Sequence, residues 1–307
     1  MAWHRIARNI YSIETGPDGC DEHIQTYVVA SPEQRLAVID PGPRSSSGKL
    51  LRGLEELGFS LGQVSYILLT HVHLDHAGGA ATISRVSGGR IPILVHPVGR
   101  KHVIDPSRLW EASRELLGEV GEIYGRPDNA PDLDVREAQD LCSLNLDGLI
   151  FRIVHTPGHA SHHLSIYMEH EGVLFVGDAA GIYIVNEDLL YPTTPPPFRY
   201  REYLESLERI SRLEPRVIAY PHEGARLGSS IIEKARRQII EWFEIASRGG
   251  EALEEILRIE SSLRKHLERK DRGDMCKKIE RKLLELSLRG IREEVERIYR
   301  ESQDKPQ

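Results

Sequence analysis

The chain has 307 residues, of which 40% are hydrophobic and 28% charged, so at roughly 100–200 residues per domain it is one large domain or one domain with an addition. A net charge of −7, from 40 basic and 47 acidic side chains, argues against binding nucleic acid through a general basic surface. No apolar run approaches the roughly 18 residues of a membrane span, and Met1-Ala2-Trp3-His4-Arg5-Ile6 lacks the layout of a signal peptide, so the expected location is cytoplasmic with no membrane partner.

Taken in chain order, residues 1–40 read as strands, with Gln25–Val29 and Leu36–Ile39 the clearest and Asp40-Pro41-Gly42-Pro43 a turn. A helix follows from about Lys49 to Leu57, its leucines 50, 54 and 57 on one face. Val64–Leu69 is a near-continuous apolar run, read as a buried strand ending at His71. The small residues Ala77–Ala81 open a helix that stops near Gly88-Gly89, and Ile91–Val95 is a further strand. Residues 106–124 read as helix and 125–148, rich in Pro and Asp, mostly as loop. Strands return at 149–154, 164–168, 173–176 and 217–220, with a helix over 200–213 and a stiff Pro-rich segment from Pro192 to Pro197. Beyond residue 229 the strand pattern ends. Residues 251–300 hold 12 acidic and 14 basic side chains with apolar positions at helical spacing, an added set of amphipathic helices. Such a density of ion pairs is a habit of thermophiles. The three cysteines, Cys20, Cys142 and Cys276, are odd in number and scattered, which predicts no disulfide framework.

Histidine, at 14 residues, is the informative count. The segment Thr70-His71-Val72-His73-Leu74-Asp75-His76 follows the buried strand and precedes the Gly/Ala turn. Alternate residues of an extended segment point the same way, so His71 and His73 converge. Once the chain turns into helix, Asp75 and His76 aim at a second point nearby. Imidazole nitrogen with carboxylate oxygen suits zinc, and also iron or manganese. Three further strands run into metal-ligand residue types: 149–154 into Thr156-Pro157-Gly158-His159, 173–176 into Gly177-Asp178, and 217–220 into Pro221-His222. One metal site at one end of a sheet accounts for that shared placement.

This set of motifs, in this order, resembles the metallo-β-lactamase superfamily over about residues 5–228, with Asp40-Pro41-Gly42 matching its early acidic turn. The resemblance implies an α/β fold, a four-layer αββα sandwich, over residues 1–228. Residues 229–307 are then a C-terminal helical extension serving as a lid or as the interface of a homodimer. It implies two Zn2+ per chain, with Fe or Mn also suited. His71, His73 and His159 would hold one ion; Asp75, His76 and His222 the second; Asp178 would bridge them. Asp75 would also orient the attacking hydroxide, making it the catalytic candidate, and Asp40 would support a ligand imidazole. His162 stands where the family often has a small residue; it and His163 are read as supporting groups, and His155 as no ligand. Asp178 at the bridging position points to the hydrolase branch containing glyoxalase II. Yet Gly224 follows His222-Glu223 where that enzyme typically has Tyr, and its glutathione-holding residues are not recognisable. The expected activity is hydrolysis of a small ester or thioester, a small-molecule substrate. The alternatives are an iron-dependent persulfide dioxygenase, a lactonase or a phosphodiesterase.

Overall fold

The computed structural model describes residues 2–303. The first sheet takes its strands in chain order: β1 (Trp3–Ala7), β2 (Ile10–Glu14), β3 (Gln25–Ala30), β4 (Leu36–Ile39), β5 (Val64–Leu68), β6 (Ile93–Val95) and β7 (Val135–Glu137). It is antiparallel as far as β4 and parallel from β4 to β7. The parallel half is connected by α1 (Ser47–Glu56), α2 (Leu74–Ala77), α3 (Ala80–Val86), α4 (Pro97–Ile104), α5 (Ser107–Leu117) and α6 (Glu119–Tyr124). The second sheet contains β8 (Ser143–Leu146), β9 (Leu149–His155), β10 (Leu164–Met168) and β11 (Val173–Phe175). A separate hairpin, β12 (Ile182–Ile184) with β13 (Leu189–Tyr191), and the helix α7 (Tyr200–Ser211) intervene. Then β14 (Val217–Tyr220) and β15 (Gly224–Leu227) complete the sheet in the order β15-β14-β11-β10-β9-β8. Four helices close the chain: α8 (Ser230–Ser247), α9 (Ala252–Ile259), α10 (Ser261–Glu268) and α11 (Asp274–Gln303).

Strand alternation builds the layers. Val28 and Val38 face outward from the first sheet, where they join Leu50 and Leu54 of α1 and Ile83 of α3 in one core. Tyr27, Val29, Ala37 and Ile39 face the other way and meet Phe151, Ile153, Leu164, Ile166 and Phe175 of the second sheet. The outer face of that sheet, with Leu174 and Ile218, packs on Leu207 of α7 and on Ile239, Trp242, Ile256 and Leu288 of the C-terminal helices. The result is helix, sheet, sheet, helix, as expected, with the C-terminal helices sharing the outer core of the second sheet.

Residues 125–148 are mostly loop, as expected, but carry the short strands β7 and β8, and β15 was not anticipated. All three are short edge strands whose side chains are mostly exposed or half-buried, so they lack the apolar alternation that marks a strand in sequence. The expectation of no disulfide is corrected: Cys20 and Cys276 are joined across 256 residues, leaving Cys142 free. Nothing in their spacing signals this, because the fold alone brings the loop after β2 against the first turn of α11.

The helix expected over 106–124 breaks at Gly118 into α5 and α6. The last helix meets the body through several specific contacts. Thr194 Oγ1 donates to the Ser287 carbonyl at 2.9 Å, and the backbone N–H of Tyr200 donates to Glu294 at 3.1 Å. A Cβ at Gly290 would fall 1.9 Å from the Thr194 carbonyl oxygen, so only glycine permits this approach of α11 to the Pro-rich segment. Among the described residues no helix is long and apolar enough to cross a membrane.

Candidate metal centre

The strand directions decide where the centre lies. β4 and β5 are parallel, so Asp40 and the segment 70–76 emerge at one edge. β9, β11 and β14 share a direction, because β10 is antiparallel to both β9 and β11, and β11 is parallel to β14. His159, Asp178 and His222 therefore leave the second sheet together. The Leu164 N–H donates to the Thr70 carbonyl at 2.8 Å and ties the two edges. Gly177 at φ +56° makes the turn before Asp178; a Cβ there would lie 2.5 Å from His163 Nε2 and 2.9 Å from Thr70 Cβ.

The seven expected residues come together as two groups. In the first, donor atoms of His71, His73, His159 and Asp178 all lie within 4.8 Å of one another; in the second, those of Asp75, His76 and His222 do. His71 Nε2 and His159 Nε2 each stand 3.0 Å from His73 Nδ1. Asp178 Oδ2 is 3.3 Å from His159 Nε2 and 3.9 Å from His71 Nε2. Bonds of 2.0–2.1 Å in a tetrahedron put ligand atoms about 3.3 Å apart, so these spacings fit a zinc-sized ion. The other carboxylate oxygen, Asp178 Oδ1, is 3.6 Å from both His76 Nε2 and His222 Nε2. Asp75 Oδ2 lies 3.7 Å from His76 Nε2 and 3.9 Å from His222 Nε2.

The far ring nitrogens are fixed. His76 Nδ1 lies 3.1 Å from Asp40 Oδ2, His159 Nδ1 2.8 Å from the Thr193 carbonyl, and His222 Nδ1 3.0 Å from the His23 carbonyl. His71 Nδ1 lies 3.0 Å from Thr70 Oγ1. Carbonyl and carboxylate acceptors demand N–H on those nitrogens, so in the neutral imidazole the inward Nε2 is the lone-pair donor. Asp40 is itself held by the N–H and hydroxyl of Thr70, at 2.8 and 2.6 Å. His76 Nε2 and Asp178 Oδ1 are buried with no protein hydrogen-bond partner, a costly arrangement that a cation between them would repay.

Burial holds His71, His73 and His159 well below the usual histidine range, so they present neutral imidazoles. Burial opposes charge on His76 as well, but the carboxylates of Asp75, Asp178 and Asp40 outweigh it and push this histidine up to about 10. Burial raises Asp178. Asp75 is pulled down on balance, because His76, His222 and His73 overcome its desolvation.

The remaining histidines divide. His163 is buried between Thr156 Oγ1, 2.8 Å from its Nδ1, and the Asp178 N–H, which donates to its Nε2 at 2.9 Å; it orients the Asp178 loop. His155 turns away, its Nε2 2.8 Å from the Ala138 carbonyl. His162 lines the cavity beside His73, with its Nδ1 buried and unpartnered.

That cavity, about 230 Å³, opens from the metal-ligand residues and is walled by α5, α6, the Pro-rich segment and α11. Tyr124 sits on its wall, fully buried, with its hydroxyl unpartnered. Sequence reading missed Tyr124, since one tyrosine at the end of a helix carries no motif. It also missed a buried charged cluster beneath His222. There Arg272 pairs with Glu223 at 2.7 Å and with Glu280, His266 bridges Glu187 and Glu280 at 2.9 and 3.2 Å, and the His23 ring packs 4.8 Å from that of His222. Its members are scattered from residue 23 to residue 280, so only the fold collects them.

With this geometry in hand, comparison with known proteins is decisive. The sequence model of the metallo-beta-lactamase superfamily matches residues 21–222. The chain belongs to the metallo-β-lactamase superfamily. It is 30% identical over 290 residues to the metallo-beta-lactamase fold-containing protein ST1585 of Sulfurisphaera tokodaii, covering 93% of this chain and 97% of that protein. The crystal structure of that archaeal protein superposes with a TM-score of 0.70 at 28% identity, over 93% of this chain and 98% of the other. A shorter likeness, 31% over 156 residues, links it to the hydroxyacylglutathione hydrolase GloC of Haemophilus influenzae, covering 48% of this chain and 61% of that protein. The chain is thus an enzyme of a hydrolytic superfamily, carrying histidine and aspartate groups suited to metal ions.

Proposed function

We propose that the protein is a binuclear metallohydrolase of small esters or thioesters. The observation that carries this reading is the placement of Asp178, which turns Oδ2 to the first histidine group and Oδ1 to the second. His71, His73 and His159 would hold one ion, Asp75, His76 and His222 the other, and Asp178 would serve both. Zinc is the expected metal from the nitrogen-rich donor set and its spacing. When bound, such a pair supplies Lewis acidity and hydroxide at neutral pH. The chain's own contribution is orientation. Asp75, buried on the cavity side, would accept a hydrogen bond from the attacking water or hydroxide and, as the acyl C–O or C–S bond breaks, pass its proton to the leaving oxygen or sulfur. Asp40 and the Thr193 and His23 carbonyls hold the imidazoles in one tautomer. The walls of α5 and α11 would shield the reacting carbonyl from water, with α11 acting as a fixed lid.

Likeness to a hydroxyacylglutathione hydrolase over 48% of the chain supports ester or thioester chemistry. A cytoplasmic location is compatible with the disulfide if the protein is that of a hyperthermophile, in which intracellular disulfides and dense ion pairs both occur. The test is elemental analysis of protein purified without added metal, then assays on p-nitrophenyl acetate and on a simple thioester. Two equivalents of metal with hydrolysis are expected. One equivalent of iron, with oxygen uptake on a persulfide and no hydrolysis, would replace this reading with the dioxygenase.

A further inference from the structure

The cavity wall in front of the candidate metal ligands is largely apolar. Leu109, Leu116 and Leu117 of α5 stand on one side, and Leu283 and Leu286 of α11 on another, with the prolines 195–197 between them. Leu109, Leu116, Leu117 and Leu283 are only half-buried, so apolar surface is left facing the space in front of the metal ligands. Among the described residues no Lys or Arg lines this cavity; its polar groups beyond the metal-ligand side chains are His162, Tyr124, Ser113 and Thr193. A substrate with carboxylates or phosphates near its reacting carbonyl would surrender their hydration without a cationic partner. An alkyl chain would bury apolar area on both sides.

Resting on the hydrolase reading above, we propose that the substrate is an ester or thioester of an uncharged, straight alkyl acyl group, with the chain seated between α5 and α11. The acyl carbonyl lies at the metal-ligand end, and the alkyl chain runs along the leucines. The two walls come from segments far apart in the sequence. α11 reaches its place through Gly290 and the Ser287–Thr194 contact, so the C-terminal helices select the substrate as well as cover it.

The experiment uses the full-length, zinc-loaded protein and p-nitrophenyl esters from acetate to decanoate, with S-lactoylglutathione as the charged comparison. Each methylene buried is worth about 0.8 kcal/mol, or about fourfold in kcat/KM. The slope should approach this from acetate to about hexanoate and then level as the cavity fills. Leu116→Asp, on a partly exposed position that tolerates charge, should flatten the slope; Leu283→Asp, also only partly buried, should do the same from the opposite wall. Calorimetric titration with hexanoate and acetate gives a readout independent of turnover, with hexanoate expected to bind at least about tenfold more tightly. A chain-length profile that is flat in the wild type, equal binding of the two carboxylates, or preference for S-lactoylglutathione would overturn the proposal. If no probe is hydrolysed the hydrolase reading falls, while the calorimetric ratio still decides what the cavity accepts.

Discussion

Cutting the bond between Cys20 and Cys276 tests the architecture at the point where sequence reading failed. The bond closes a loop of 256 residues in sequence separation. The chain-entropy relation for such a loop gives about 5.5 kcal/mol at 25 °C, as an upper figure. Residual structure in the unfolded chain lowers this, and the other contacts of α11 keep the two segments near each other when the bond is cut. We therefore expect Cys276→Ser, or reduction of the wild type, to cost about 3–4 kcal/mol. At roughly 2 °C per kcal/mol for a chain of this size, the melting temperature should fall by about 6–8 °C. The local consequence is sharper. Cys20 opens the short segment holding His23, whose carbonyl fixes His222, and Cys276 begins the helix that carries Leu283 and Leu286 into the cavity wall. Loss of the bond should thus also weaken metal retention during dialysis against a chelator. The assays are non-reducing peptide mapping, scanning calorimetry with and without reductant, and zinc content after dialysis. A melting temperature unchanged by both Cys276→Ser and reductant would refute the reasoning.

Asp178→Ala should lose both ions together and abolish turnover, since one carboxylate neutralises both sites; a variant keeping two equivalents of metal with near-normal rate would show that it does not bridge. Asp40→Asn should leave the fold intact but cost about 10–100-fold in zinc affinity or activity, because His76 loses the charged partner of its Nδ1–H; competition with a chromogenic chelator measures it. In the metal-free chain, burial opposes protonation of His76 but its three carboxylate neighbours raise it to about 10, so this proton stabilises the apoprotein fully below about 6.5 and is lost through about 10. Zinc must displace that proton, so apparent affinity should climb with pH across this window, and calorimetry in buffers of differing ionisation enthalpy should count about one proton released. No buffer dependence at pH 8 would contradict the assignment.

The legible parts of this protein were those where a local pattern coincides with a chemical requirement. His71-x-His73-x-Asp75-His76 announces itself because the first two ligands share a face of an extended segment and the next two a helical turn. His159, Asp178 and His222 were legible only as residues ending apolar strands; their convergence depends on β9, β11 and β14 running in one direction, a topological fact with no local trace. The edge strands β7, β8 and β15 were illegible because exposed edges need no apolar alternation. Cys20 with Cys276, and Tyr124 with Leu283, were illegible because each pair joins segments far apart in sequence, 256 residues in the first case. These missed pairs share a cause: α11 returns to the loop after β2 and to α6. The candidate metal-ligand side chains therefore come from the two sheets, whose strand-end motifs can be read in order along the sequence. The proposed substrate wall comes from helices docked beside those sheets, with α5 and α11 far apart in sequence.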